Sequence, residues 1–595
     1  MKRDNKCFFI VHLRRIILKI RQQISICQLL NSKVYGISLC PLSKDVMNTY
    51  YEVDKLFEII IFGKKIDHQA INWHCDYKSG YCYCAEKRFD KLKINKLFNQ
   101  GIEVKFPWEL SRFNFGIDLA LHYRQSSDLK YYILFKNLVT NWLEKNKFLM
   151  GVNWICTMEV AIRAANWIVA ANLFESVFWR DDTFVCMMSK SLFQHALYIN
   201  KFPEKFPLSE NNHLIADYSG LFVLAFSFRH TSMGKRLLEI AKRGLIYCME
   251  KQIGEDGINF EHTIPYHRLT LEFLAVPVLL EESTGFPKTY HKKLFRMFEF
   301  VTAYTDSNGN APQIGDNDSG RFLKLSNSEE QNHRYLLEIG QEIFDYHFDL
   351  ETANSSNLIP VIKNGFTKIN LPETGIIPRN CNQSVFFPDS GFYFLKNELF
   401  SLAIYCPTRN QGGHRHFDSG SFTLSYKGTP IVVDPGTGVY TSTLVIRNYF
   451  RDYFSHNMYY KDEWNEYNHH YFDIVDNLDV KVVSYTDRFV LIRMSFDAGL
   501  SVERKFILSE DALFIQDQIK GNREKLVSAI HFELPVFIEP GNRKIRVGEV
   551  EIFICGAKEL SKKNYLFSPS YSIMECREKI VVLPNDSVTL DFHAC

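Results

Sequence analysis

Four polar clusters gather acidic, imidazole, amide and phenolic groups where core packing would not place them. The most informative is Gly412-Gly413-His414-Arg415-His416-Phe417-Asp418, followed by Val433-Asp434-Pro435-Gly436 and Ser455-His456-Asn457. His416, Asp434 and His456 are two imidazoles and a carboxylate on three separate segments. That donor set suits zinc with three protein ligands and a fourth position open or filled by water. In a strand, residues two apart share a face, so His414 and His416 can point the same way. A second cluster, Glu255 to Arg268, brings three carboxylates, two imidazoles, Tyr266 and an arginine into 14 residues. A tyrosine near its ordinary pKa of about 10 serves as a base only where cations favour the phenolate. His267 and Arg268 are candidates for that role, although consecutive helical residues do not face one another. The stretch is equally readable as a polar loop between helices.

Ser209-Glu210-Asn211-Asn212-His213 stands immediately ahead of an apolar periodic run. Asn212 or His213 would lie at a helix N-terminus, where free N–H groups favour anions; plain N-capping is the alternative. The fourth cluster, Gln313 to Arg321, has the composition of a calcium loop but lacks a correctly placed downstream glutamate. A solvated turn, or a loop on the rim of a site, is the expectation there.

Two kinds of element must position these groups. Apolar residues recur at helical spacing over 115–123, 131–144, 158–174, 189–199, 214–228, 236–251 and 269–282, separated by loops rich in Asn, Gly and Pro. Many helices with no alternating segments between them predict helix pairs in a ring or bundle. Beyond residue 385 the texture changes to short runs rich in Val, Ile, Phe and Tyr: 391–396, 402–405, 421–426, 430–434, 480–485, 489–496, 501–508, 512–519 and 550–554. Turn pairs such as Lys427-Gly428 and Gly521-Asn522 bound them, which predicts a β-sandwich. Residues 1–45 are left unassigned, 46–375 are read as the helical domain, 371–389 as the linker and 385–595 as the β domain.

A chain of 595 residues exceeds what one core supports. Its net charge of +2 excludes a global basic field of the kind that holds nucleic acid, so a polyanionic partner would have to be met locally, in a cleft. No stretch approaches the roughly 20 apolar residues that span a bilayer. The first apolar run, Phe8–Val11, is interrupted by His12, Arg14 and Arg15, which argues against classical export. The 14 cysteines are scattered without a C-x-x-C pair and are expected to be reduced. Oligomeric state is not legible.

Together these residues resemble the heparinase II/III family of polysaccharide lyases. The resemblance runs from Trp73-His74-Cys75-Asp76-Tyr77 through Pro107-Trp108-Glu109-Leu110-Ser111-Arg112, Gly151-Val152-Asn153-Trp154 and Met158-Glu159-Val160-Ala161-Ile162-Arg163. It continues through Asn212-His213, Asp256-Gly257, Tyr266-His267 and Gly315-Asp316-Asn317-Asp318 to the β-domain clusters already described. It implies an incomplete α/α toroid followed by an antiparallel β-sandwich, and β-elimination on a uronate-containing glycan in a cleft between the two. It further implies Tyr266 as the catalytic tyrosine, Asn212 and His213 as the groups that neutralise the substrate carboxylate, and His414 as the histidine that assists proton transfer. His416, Asp434 and His456 would hold a structural zinc. Glu159, Arg163, Trp108 and Arg112 would line subsites, with Arg447 and Arg451 as cationic contacts to the acidic polysaccharide.

Two other readings compete. A glycoside hydrolase on the same scaffold would use a pair among Asp256, Glu261, Asp316 and Asp318. A non-catalytic glycan-binding protein would have no need of Asn212, His213, Tyr266 and His414 together.

Overall fold

The computed structural model describes residues 57–594 except 206–209, 282–284, 349–367, 371–381, 408–411, 463–471, 473–477, 497–498, 540 and 542. Residues 1–45 and Ser209 lie outside the described residues. A hairpin of β1 (Ile59–Ile61) and β2 (Lys64–Ile66) opens the described chain. Helices follow: α1 (Lys105–Ser111), α2 (Asn114–Ser126), α3 (Leu129–Lys145), α4 (Thr157–Leu173), α5 (Ser176–Trp179) and α6 (Asp182–Lys201). Then come α7 (Asn212–Ser227), α8 (Ser232–Gln252), α9 (Ile264–Leu280), α10 (Lys288–Tyr304) and α11 (Arg334–Ile343).

These helices form two layers for a compositional reason. In α4 and α9 every residue is buried, because their sequences have almost no polar face. By contrast, α8 carries a polar stripe of lysines, arginines and glutamates and buries one side only. Helices apolar all round belong inside a shell of amphipathic ones, and α7 packs against both α4 and α9 in that inner set. The result is the incomplete α/α toroid that the periodicity and the resemblance led one to expect.

The β domain has two antiparallel sheets. The first is β3 (Val385–Phe387), β4 (Phe392–Lys396), β5 (Phe400–Tyr405), β6 (Phe422–Tyr426) and β7 (Thr429–Val432), paired in sequence order. The second comprises β8 (Tyr459–Lys461), β9 (Asp479–Thr486), β10 (Phe489–Ser495), β11 (Ser501–Leu508), β12 (Ala512–Lys520), β13 (Leu526–His531), β14 (Val536–Ile538), β15 (Lys544–Val547), β16 (Val550–Phe567) and β17 (Glu575–Ala594). Its main path runs β14-β15-β16-β17-β12-β11-β10-β9, with β13 bridging β17 and β8.

Strand β4 explains how the two domains become one body. Its alternate residues Phe392 and Phe394 join the helical core, while Tyr393 and Leu395 join the core between the sheets. Phe300 of α10 lies 5.1 Å from the ring of Phe392 and 5.1 Å from that of Phe387. A strand buried on both faces reads as a continuous apolar run, and Phe-Tyr-Phe-Leu is one.

Four expectations change. Val385–Phe387, read as linker, is strand β3, and the preceding 371–381 lie outside the described residues. The run at 550–554 extends to Phe567 and pairs with the 20-residue β17, whose Lys, Glu and Ser content hid it. Within the β domain, α12 (Leu444–Arg451) is a helix that the strand pattern did not suggest. Cys75 and Cys82, expected to be reduced, form a disulfide across an antiparallel bridge. That bridge brings together residues seven apart, a spacing with no sequence signature.

Candidate active site

Thr263 caps α9, its hydroxyl accepting from the Tyr266 backbone N–H at 3.2 Å, and Pro265 sits in the first turn. This holds Tyr266 at the helix entrance with its ring buried. The Tyr266 ring stacks on His414 with centroids 3.9 Å apart and planes 18° from parallel. Its hydroxyl lies 2.9 Å from that of Tyr440 in the β domain. Gly315 makes this proximity possible. Its φ is +75°, and a Cβ there would lie 2.6 Å from Thr263 Cγ2 and 3.2 Å from the His414 carbonyl oxygen.

Asp316 follows and is fully buried. One oxygen faces His414 Nδ1 at 3.0 Å, the other His416 Nε2 at 2.9 Å, and Arg447 grips both, the oxygen facing His414 at 2.6 Å. Burial alone would raise this carboxyl's pKa; Arg447 and the two imidazoles outweigh it and hold it well below the usual carboxylate range. An ionised Asp316 accepts Nδ1–H from His414, which leaves the lone pair on Nε2. The next acid, Asp318, pairs with Lys105 at 2.8 Å and is likewise held ionised. The expectation of a solvated turn or rim loop is therefore corrected. The cations that bury these acids come from residues over 100 positions away, beyond the reach of local composition.

On the toroid side, Asn211 caps α7 by accepting from the His213 N–H at 3.2 Å. The Asn212 amide donates to both oxygens of the buried Glu261 at 2.9 and 3.1 Å, and its backbone N–H adds a third bond at 3.0 Å. Glu261 also lies 3.6 Å from His414 Nε2. One carboxylate thus sits between the amide and the catalytic-histidine candidate. His213 Nδ1 meets Glu204 Oε2 at 2.7 Å. Burial lowers the His213 pKa, but Glu204, Glu159 and Glu261 more than offset it, so the imidazolium is favoured.

The Tyr266 phenol is different. Burial first, then Asp318 and Asp316, push its pKa well above the ordinary value. His267 bonds the Met297 carbonyl oxygen at 3.1 Å and Arg268 that of Gly320 at 2.7 Å. Neither supports the phenolate, because successive residues leave a helix in different directions.

His416, Asp434 and His456 are buried, with one ligand atom of each within 4.8 Å of the others. His416 Nδ1 and His456 Nε2 have no hydrogen-bond partner among the described residues. Burial, partly countered by Asp316, lowers the His416 pKa to about 4, the neutral form a metal requires. The carboxylate on the far nitrogen of His416 matches the usual support of a ligating imidazole. The set fits zinc.

The expected subsite residues fare differently. Arg112 and Glu159 form a buried bidentate pair with both contacts at 2.7 Å, so each neutralises the other. Arg163 is fully buried against Trp142 and Trp154, 4.3 and 5.4 Å from their ring centres, and donates to His195. A guanidinium sealed in an aromatic cage has nothing to offer a glycan, which corrects that expectation. Arg451 is buried beside Asn448, and Arg447 is committed to Asp316. Of the six, Trp108 alone keeps part of its surface exposed. Sequence reasoning missed Tyr440 and Glu204. Only the proximity of Tyr440 to Asp434-Pro435-Gly436 could have signalled the former.

A toroid joined to two antiparallel sheets, with tyrosine, histidine and amide side chains meeting at the junction, defines the architecture of a polysaccharide lyase. The chain belongs to the heparinase II/III family: the Heparinase II/III N-terminus model matches residues 43–335 and the Heparinase II/III-like, C-terminal model matches residues 381–585. It is a heparinase II/III-like polysaccharide lyase. Among solved structures, heparinase III is similar at 17% identity over 88% of this chain and 79% of that one, with TM-score 0.64. A mutant of the heparan sulfate lyase HepC from Pedobacter heparinus matches at 14% identity over 98% and 88%, TM-score 0.56. The chondroitin AC lyase of Streptomyces coelicolor A3, in complex with chondroitin sulphate, matches at 10% identity over 81% and 74%, TM-score 0.50. At such identities the likeness is one of fold. No curated protein matches the sequence. Among the described residues no helix is long and apolar enough to cross a membrane.

Proposed function

We propose that the chain cleaves an acidic, uronate-containing glycan by β-elimination, leaving an unsaturated uronate at the new end. The observation that carries this reading is the stacked Tyr266–His414 pair, with Asp316 behind the histidine and Glu261 linking it to Asn212.

The C5 proton of a uronate is very weakly acidic, so the adjacent carboxylate must be neutralised as charge develops. The His213 imidazolium suits that task, and so does Asn212 once its amide exchanges Glu261 for the substrate. One such donor contributes about 2.7–4 kcal/mol. His414 Nε2 then takes the C5 proton, the C4–O4 bond breaks as the C4–C5 double bond forms, and the Tyr266 hydroxyl protonates the departing O4. This division follows from the electrostatics: the field at Tyr266 favours the neutral phenol, while Asp316 leaves His414 Nε2 bare. Each positioned proton transfer is worth about 10²–10⁴-fold. Zinc on His416, Asp434 and His456 would tie three segments of the β domain together beneath His414, a structural role. The hydrolase alternative requires a carboxylic acid kept protonated; Asp316 and Asp318 are held in the opposite state, and Asp256, whose pKa burial raises, is engaged by the Ser390 hydroxyl at 2.5 Å.

The test offers purified protein a panel of acidic polysaccharides and follows the ultraviolet absorbance of unsaturated uronate. The expected result is a rise with one substrate class and a loss of about 10²–10⁴-fold in Tyr266→Phe. New reducing ends without the absorbance, retained in Tyr266→Phe, would overturn the proposal.

A further inference from the structure

Beside α7, and apart from His416, Asp434 and His456, lies a second group of metal-ligating atoms. Cys156 Sγ is 3.7 Å from His213 Nδ1 and 3.7 Å from Glu204 Oε2, and the His213–Glu204 contact is 2.7 Å. Each of the three residues can place one ligand atom within 4.8 Å of the other two. We propose that Cys156, Glu204 and His213 form a second divalent-metal site, for a thiophilic ion of the zinc class, with one coordination position left open.

The dimensions argue for it. Tetrahedral zinc, with bonds of about 2.3 Å to sulfur and 2.0–2.1 Å to nitrogen or oxygen, sets its ligands about 3.6 Å apart where sulfur is involved and about 3.3 Å apart otherwise. Both cysteine edges already match within about 0.1 Å. Only the hydrogen-bonded His–Glu edge must widen, by about 0.6 Å, as a cation replaces the shared proton. The mixed sulfur, nitrogen and oxygen donor set selects zinc or cadmium over magnesium and calcium.

The surroundings supply access and support. The side chains of His213 and Glu204 are 30% and 14% exposed, so an ion has a way in. The Glu204 N–H donates to the buried Asp217 at 2.6 Å, which anchors its backbone, and the Met158 N–H points at 3.5 Å to Oε2, the oxygen that faces Cys156 and His213. Burial, reinforced by Glu204 and Glu159, keeps the Cys156 thiol protonated without metal. Binding therefore forms the S–metal bond and releases the thiol proton to solvent, with the His213 Nδ1 proton following when the imidazole is charged. Cys156 precedes α4 without a side-chain cap, and its thiol donates to Glu204 Oε2, the hydrogen bond that a metal would replace.

His213 also belongs to the lyase reading, so the test uses binding and not turnover, and the two fail separately. Metal-stripped full-length protein is titrated with cadmium, reading bound metal per chain and the ultraviolet cadmium–thiolate charge-transfer band. The expected result is a thiolate band in wild type and in His456→Ala. Cys156→Ala should lose the band and one equivalent of metal. Glu204→Gln keeps the sulfur and should weaken cadmium binding by at least the roughly 10–100-fold that follows loss of a supporting partner. The remaining cysteines are unchanged in Cys156→Ala. A band and stoichiometry in that variant equal to wild type, or no band in wild type, overturns the proposal.

Discussion

Replacing Asp316 with asparagine removes a charge that three partners share. The carboxylate accepts from His414 Nδ1, His416 Nε2 and both terminal nitrogens of Arg447. An amide keeps one accepting oxygen and turns an NH₂ group toward donors, so at least one partner must break away. Arg447 is fully buried, and a buried charge that loses its partner costs about 3–5 kcal/mol of stability. The catalytic cost is separate. Facing NH₂, His414 must present a bare Nδ1 and carry its proton on Nε2, the wrong tautomer for taking the C5 proton. Where an orienting carboxylate behind a catalytic histidine is changed to an amide, kcat falls by about 10⁴. The assay is kcat and KM from uronate absorbance, with thermal unfolding of the same samples. Arg447→Met is the control, since it removes the cation but keeps the Asp316–His414 bond. Asp316→Asn should lose about 10³–10⁴ in kcat with KM little changed, whereas Arg447→Met should lose stability and less than tenfold in kcat. A folded Asp316→Asn variant within tenfold of wild type would refute the assignment of His414 Nε2 as base.

Two further outcomes follow from buried groups. Glu299 on α10 is 4% exposed with one oxygen unpartnered, and burial, only partly relieved by Arg296, raises its pKa to about 7. The folded state thus holds a proton that the unfolded chain releases near pH 4.3. The stability this contributes is full below that pH and is lost as pH rises to about 7, a change of about 3–4 kcal/mol. Glu299→Gln should therefore be more stable than wild type at pH 8 and equal to it at pH 4, by denaturant unfolding; the same gap at both would sink the argument. Stripping metal with a chelator should lower the melting temperature, reversibly on adding zinc, by the equivalent of about 4 kcal/mol where zinc stands at 1,000 times its Kd. His456→Ala should show a smaller response, the part left by Cys156, Glu204 and His213, and a wild-type melt no more sensitive to chelator than that variant would remove His416, Asp434 and His456 as a metal centre.

The layered architecture was legible because burial leaves a periodic trace. In α4 and α9 that trace is an apolar surface all round; in β11 and most of β12 it is alternation of buried and outward residues. Helix entrances were legible too, since Asn211 and Thr263 are capping types placed just ahead of Asn212 and Tyr266. What the sequence alone determined was thus the order of helices and strands and the residue types gathered at the junction. Partnership was decided by tertiary structure. Asp316 reads as part of a loop until Arg447 arrives from 131 positions away on a helix hidden among strands. Arg163 reads as a glycan contact until two tryptophans close over it. The physical reason is the same in each case. A charge survives burial only if paired, and its partner is chosen by proximity in space, which neither composition nor periodicity encodes.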